Sequence, residues 1–580
     1  MSWRVLSFVC IAWLMGCGAA EPQLLPADLV LRGGVVITVD PDIGDQQAVA
    51  ISGHRIVAVG TDTTIARYIG SETEVIELNG RTIIPGLIEG HGHFLGLGRA
   101  QQVLDLTTAE SFADVVTQVA VAVDAAEPGA WIFGMGWHQD KWRVGDETLV
   151  EGVPINATLN AISPDNPVLL GHASGHAAYA NAAALAAAGI TASTPDPAGG
   201  TIVRDQMGHA TGLLRETAQR LVQTAVAAYQ AGLDPAELVR QTDEQVYLAG
   251  KAALRHGVTS FHDAGADFAT IDYFRRLEQE RRLPVRLYVM VRRESNEVMA
   301  QRLADYLMPI EGNDFLTVRS IKRQIDGALG AHGAWLLEPY DDLPQTSGLV
   351  LEPVADIEAT ARLAIEHGFQ VNTHAIGTRA NREVLDLYQR IWAQQQIDGM
   401  RLRWRIEHAQ HIHPDDIPRF AQLGVIAAIQ GVHCTSDGPW IPSRLGVQRT
   451  QDTSYRWRDL LDSGARLNNG TDVPVESINP FVSIQASVVR LMNNGEAFYP
   501  EQAMTVREAL YSYTLGNAYS AFEEDHKGSI TPGKLADLVV IDRNLVAIDP
   551  AQIGQTQVEL TLVGGQITYD KSEQDRQEEG

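Results

Sequence analysis

The sequence predicts an α/β fold: a TIM-like (β/α)8 barrel, a small β-sandwich domain built from both chain ends, and a large insertion after the first barrel strand. Three observations predict it. Eight apolar β segments alternate with Ala/Leu/Glu-rich helical sequence, the signature of parallel strands joined by helices. Short strand-like runs occur early and return only at the far end of the chain. Finally, 169 residues separate His93 from His262, far more than one βα unit requires.

The elements follow in order. Arg4 precedes the apolar run Val5–Met15, which is too short to span a bilayer and fits a signal h-region. Leu14-Met15-Gly16-Cys17 resembles a bacterial lipobox, with 1–17 as the signal segment and Cys17 as the lipidated residue. Cleavage near Ala19-Ala20 and plain secretion is the alternative. The lipobox reading implies an exported, membrane-anchored lipoprotein of a bacterial cell envelope, on the periplasmic side or the surface. Either route leaves Cys434 as the candidate free thiol.

The runs Leu29–Arg32, Gly34–Val39, Ala48–Ile51 and Arg55–Val59, with Leu538–Ile541 and Val558–Tyr569, are expected to form the sandwich over 27–81 and 527–570. The barrel is expected over 82–526. Its strands are Thr82–Gly90, Gly257–Phe261, Val285–Val291, Ser320–Ile325, Gln370–Thr373, Arg403–Ile406, Gly424–Ile429 and Ala465–Asn469. The insertion covers about 96–215 and is expected over the C-terminal mouth. Its Ala-rich run Ala177–Ala188 reads as a helix, and the polar tail Lys571–Gly580 as a frayed end.

With 580 residues and 45% hydrophobic content the chain can bury a sizeable core. Acidic residues outnumber basic ones 72 to 45, for a net charge of −27, which argues against nucleic acid or an anionic membrane surface as partner. Membrane contact is expected only through the lipid anchor. Three cysteines are too few for a disulfide framework.

Chemistry-bearing residues cluster where the strands end. His91-Gly92-His93 closes the first: two histidines at i and i+2 on extended backbone point the same way and make half of a metal site. His262 and Asp263 close the second, Lys322 sits on the fourth, His374 ends the fifth and His408 the sixth. His433 follows the seventh and Asp472 the eighth. In a barrel these ends converge on one site.

The chain resembles the amidohydrolase superfamily, in particular its amidohydrolase-3 branch, from about Ala27 to Tyr569. The matching segments are PGLIEGHGH, GVTSFHDAG, the Lys-x-x-x-Asp-Gly of Lys322–Gly327, NTHAIG, RIEHAQ, NGTDVPV and GSITPGKLADLVVID. The resemblance implies a binuclear centre held by His91, His93, Lys322, His374, His408 and Asp472. It implies two divalent ions, zinc first, with manganese, iron or cobalt as alternatives, and a CO2-derived carbamate on Lys322. An ordinary lysine paired with Asp326 in a mononuclear site stays open. The segment Gln430-Gly431-Val432-His433 with Asp437 carries Gly431 where the family has proline, and Thr378 stands where the family often has aspartate.

The chemistry implied is hydrolysis of a C–N bond in an amide, N-acyl, N-formyl or cyclic amide small molecule. A metal-bridging hydroxide attacks, Asp472 shuttles the proton, and His433 donates to the oxyanion. Ester, carbamate or lactone hydrolysis on the same site is the alternative within enzymes, and a non-catalytic solute- or metal-binding lipoprotein the alternative outside them. Trp137, His138 and His176 in the insertion, with His262 and Asp263, are candidate substrate contacts; packing in the insertion core is the alternative for the tryptophan. The oligomeric state is left open, a homodimer included.

Overall fold

Eight parallel strands wind into a near-closed barrel in the computed structural model, which describes residues 25–578 except 144, 146 and 313. They are β1 (Leu87–Gly92), β2 (Val258–Ala266), β3 (Arg286–Val291), β4 (Leu316–Gln324), β5 (Gln370–Ala375), β6 (Arg405–His408), β7 (Ile426–Gln430) and β8 (Leu467–Gly470). Each pairs in parallel with the next. Helices cover their outer face, so the strands are buried on both sides and read as apolar runs. The signal segment and Cys17 lie outside the described residues.

The seam between β8 and β1 is closed by two backbone bonds at its mouth end, Asp472 N to His91 O and His93 N to Val473 O, both 2.8 Å, and by side chains. Asn517 Nδ2 donates to Ile88 O at 2.6 Å and to Asn469 O at 2.8 Å. Glu89 accepts from the Thr471 amide at 2.7 Å and hydroxyl at 2.9 Å. Gly90 is required there, because a Cβ would collide with Asn469 O and Asn517 Oδ1.

The strand expected over Thr82–Gly90 is two strands. Thr82–Pro85 pairs with Val35–Val36 and Leu538–Ile541, and only Leu87–Gly92 belongs to the barrel. Gly86 marks the change, packed so closely on Thr259 that a side chain would not fit. The small unit has a four-stranded sheet (Leu29–Arg32, Ala48–Ser52, Arg55–Gly60, Glu74–Glu77) and a five-stranded one that takes strands from both chain ends. They share a core of Leu31, Val49, Ile51 and Ile83 with Leu538, Val540 and Leu562. The buried Arg286–Asp537 pair, with bonds of 2.7 and 3.1 Å, ties this unit to β3.

After β1 the chain builds a six-stranded sheet running from Leu104 to Glu216, with its own apolar clusters. The Ala-rich run expected as one helix is a strand, Ala177–Ala180, followed by a helix, Ala182–Ala187. Asn181 separates them: its Oδ1 accepts from Ala184 N and Val168 N, both at 2.9 Å. This capping outcompetes the alanine preference for continuous helix. The tail is likewise ordered as a helix, Lys571–Glu578, capped by Asp570 through Ser572 N at 2.8 Å.

Candidate metal centre

His91, His408 and Asp472 are buried, and each brings one ligand atom within 4.8 Å of the others. His93 Nε2 lies 3.2 Å from Asp472 Oδ1. The His374 ring centroid is 4.4 Å from that of His408. Lys322 Nζ donates to His91 Nε2 at 3.1 Å. The four histidines, the lysine and the aspartate thus meet at the C-terminal mouth.

The backbone leaves regular strand geometry there. His408 has φ 76° and Asp472 φ 60°, left-handed values that non-glycine residues adopt rarely and that concentrate at functional sites. At β6 the turn lets neighbouring Glu407 and His408 both face the centre, where alternation alone would separate them.

The imidazoles are oriented from behind. His91 Nδ1 donates to Glu407 Oε2 in a short contact, and His408 Nδ1 donates to Gln430 Oε1 at 2.8 Å. Each therefore keeps Nε2 as acceptor toward the centre. Glu407 was not picked out from the sequence; its place beside His408 in Arg405-Ile406-Glu407-His408 was the available signal. Asp326, rather than pairing with Lys322, accepts from the amides of Trp335, Ile376 and Gly377 at 2.8–3.0 Å and stands 3.5 Å from His374 Nε2.

Burial and neighbouring cations hold His374 and His408 well below the usual imidazole range, so both are neutral at pH 7 and able to ligate. Burial would raise the Asp472 carboxyl, but His93, His91 and His408 outweigh it and hold it well below the carboxylate range. Burial pulls Lys322 down to about 8 and pushes Asp326 up to about 7 and Glu89 up to about 8.

A metal fits this donor set. It is rich in imidazole nitrogen and carboxylate oxygen, and His374 Nε2 is buried without a hydrogen bond. His433 opens a short helix after β7, and its buried Nε2 also lacks a partner. Gly431, the departure from proline, donates its amide to Asn469 Oδ1 at 2.9 Å and packs against Ser483 and Ser487 with no room for a side chain. Proline could do neither.

The candidate substrate contacts divide. His176 Nδ1 donates to Glu216 at 3.0–3.1 Å; burial opposes its protonation, but this bond and the charges of Glu216, Asp472 and Asp326 raise its pKa. Asp263 is in register with Gly92 and within the field of His93. Trp137 is 2% exposed, packs in the insertion core and donates to Leu170 O at 2.9 Å. His138 sits over His172, ring centroids 4.6 Å apart. His262 is sealed inside the barrel, accepting from Arg405 Nη1 at 3.3 Å and packing on Tyr288.

The model of the amidohydrolase family matches residues 74–569. The chain belongs to the amidohydrolase family. This amidohydrolase is 33% identical over 564 residues to the protein LONG AFTER FAR-RED 3 of Arabidopsis thaliana, covering 94% of this chain and 92% of that protein. It is 28% identical over 554 residues to the N-substituted formamide deformylase of Arthrobacter pascens, covering 94% and 99%. Among solved structures it is similar to an uncharacterized metal-dependent hydrolase from Pyrococcus horikoshii OT3, at a TM-score of 0.72 and 26% identity, covering 90% of this chain and 99% of that one. The amidohydrolase is thus a metal-dependent hydrolase acting on carbon–nitrogen bonds.

Proposed function

We propose that this amidohydrolase is an exported enzyme that cleaves the C–N bond of a small amide, N-acyl, N-formyl or cyclic amide. The observation that carries the reading is the buried convergence of His91, His408 and Asp472, with Asp472 Oδ1 3.2 Å from His93 Nε2. The formamide substrate named for the Arthrobacter relative supports the N-formyl class. Export rests on the apolar run before Cys17 and the lipobox resemblance.

His91, His93, Lys322 as its carbamate, His374, His408 and Asp472 would hold two divalent ions, zinc by preference. When bound, such ions polarise a carbonyl and lower the pKa of water toward ~7. Asp472 takes the proton from the attacking water as the new C–O bond forms. It returns that proton to the leaving nitrogen as the C–N bond breaks, giving an acid and an amine. His433 donates toward the carbonyl oxygen, where negative charge develops. Glu407 and Gln430 keep His91 and His408 in the ligating tautomer.

Asp472→Asn tests this reading. Amide hydrolysis is expected to fall by about 10²- to 10⁴-fold, the usual worth of positioned proton transfer, while most of the zinc stays bound. Near-normal turnover by a zinc-loaded variant would remove Asp472 from its role.

A further inference from the structure

Arg292 is a cation at the mouth that the hydrolytic chemistry leaves without a role. It directly follows β3, on which Tyr288 and Met290 face the barrel axis: Tyr288 donates to Gln370 at 3.0 Å, and Asn372 donates to Met290 Sδ at 3.3 Å. Strand alternation carries Arg292 to the same face, two residues nearer the mouth. Its side chain lies across Gly265, where any Cβ would collide with Arg292 Cδ. Gly265 has φ 141°, so both conformation and space demand glycine at that crossing.

Arg292 Nη2 donates to Gln324 Oε1 at 2.8 Å. Gln324 stands two residues beyond Lys322 on β4, about 7 Å further toward the mouth. Among the described residues no carboxylate forms an ion pair with this guanidinium; the nearby Glu352 is 3.7 Å from Arg323 instead. Asp472, Asp263 and Glu352 reach Arg292 only through the wider field. A partly buried guanidinium beside Lys322 and a cation centre is costly to leave without an anion. Its unused N–H groups form the planar fork that matches a carboxylate.

We infer that Arg292 binds a carboxylate of the substrate, which makes the substrate class an N-acyl or N-formyl amino acid rather than a neutral amide. In such a molecule about three bonds of ~1.3–1.5 Å separate the acyl carbonyl carbon from the carboxylate carbon. With a guanidinium–carboxylate contact added, that span suits the offset between Lys322 and Gln324. The inference rests on the hydrolase reading for the placement of the carbonyl.

The test uses the zinc-reconstituted full chain and two pairs of compounds. Levulinate is the CH2-for-NH isostere of N-acetylglycine and cannot be hydrolysed; methyl levulinate is its uncharged partner. By calorimetry levulinate is expected to bind at least about tenfold more tightly than methyl levulinate, the worth of a charge-assisted hydrogen-bonded pair. R292Q erases the difference, and R292K, which keeps charge but loses the fork, retains part of it. In acetate release, the kcat/KM ratio of N-acetylglycine to N-acetylglycinamide falls at least about tenfold in R292Q. Levulinate preference intact in R292Q at unchanged zinc content would overturn the inference, as would hydrolysis of both amides without carboxylate preference. Arg292-dependent levulinate binding without turnover of any amide would sustain the carboxylate site and sink the hydrolase reading.

Discussion

Glu407 does for His91 what no metal ligand can do for itself. It accepts the Nδ1 proton and thereby presents Nε2 to the centre. It is fully buried, and Arg405 Nη1 is 4.0 Å from its other oxygen. Burial alone would raise its pKa, but the His91 charge and hydrogen bond, with Arg405 and Lys322, hold it below the usual range. In Glu407→Gln the neutral amide accepts more weakly and can turn its NH2 toward the imidazole. Zinc affinity is expected to fall by about 10- to 100-fold, read by titration against a competing chelator, with the fold retained. The ligands themselves were legible because each ends an apolar run. Glu407 was not, since period-two reasoning sends residues 407 and 408 to opposite faces, and only the left-handed turn at His408 reunites them. Trp137 misled for the opposite reason: an aromatic in a long insertion suggests a pocket wall, yet the insertion has a core of its own to fill.

At the scale of elements, the eight barrel strands were readable because strands covered on both faces are continuous apolar runs. Their ends were less so. Thr82–Ile88 is unbroken apolar sequence apart from Pro85 and Gly86, and nothing local says that its first half pairs with Leu538–Ile541, more than four hundred residues away. The Ala177–Ala188 run was misread because alanine favours helix wherever packing does not decide, and here Asn181 decides. Its Nδ2 donates to Ser163 O at 3.0 Å and Asn166 O at 2.8 Å, while its Oδ1 caps the following helix and takes the Val168 amide. Asn181→Ala would leave two buried amides and two carbonyls without this partner. At ~1–3 kcal/mol for each buried orphan, the insertion is expected to lose about 3 kcal/mol or more. Hydrogen exchange should then rise across 104–216 while the barrel strands stay protected and zinc still binds. Uniform deprotection of barrel and insertion would mean that the insertion is not a separate cooperative unit.

Across the whole molecule, buried histidines and buried carboxylates pull the response to acid in opposite directions. His411 is 1% exposed, its Nδ1 meets Ser454 Oγ at 2.9 Å and its Nε2 has no partner. Burial pushes its pKa down to about 3. His172, in the insertion, is pushed down to about 3 by burial and by His138, so barrel and insertion share the liability. The folded pKa lies below that of the unfolded chain, ~6.5, so stability is complete above that pH. It is lost as pH falls, because the unfolded state takes up a proton that the native state refuses down to about 3. Each such site costs ~1.4 kcal/mol per pH unit in that window. Asp326 and Glu89 act in the opposite sense. Their folded pKa values are raised to about 7 and about 8, so their protonation favours the fold as pH falls toward the ordinary carboxylate range. The net acid curve therefore mixes the two, and the difference between wild type and His411→Asn isolates one site. Asparagine retains a polar side chain near Ser454 and cannot titrate. Between pH 6.5 and 5.5 wild type is expected to lose ~1 kcal/mol more than His411→Asn, read as a steeper fall in melting temperature. Parallel curves for the two proteins would mean that His411 titrates alike in the native and unfolded chains.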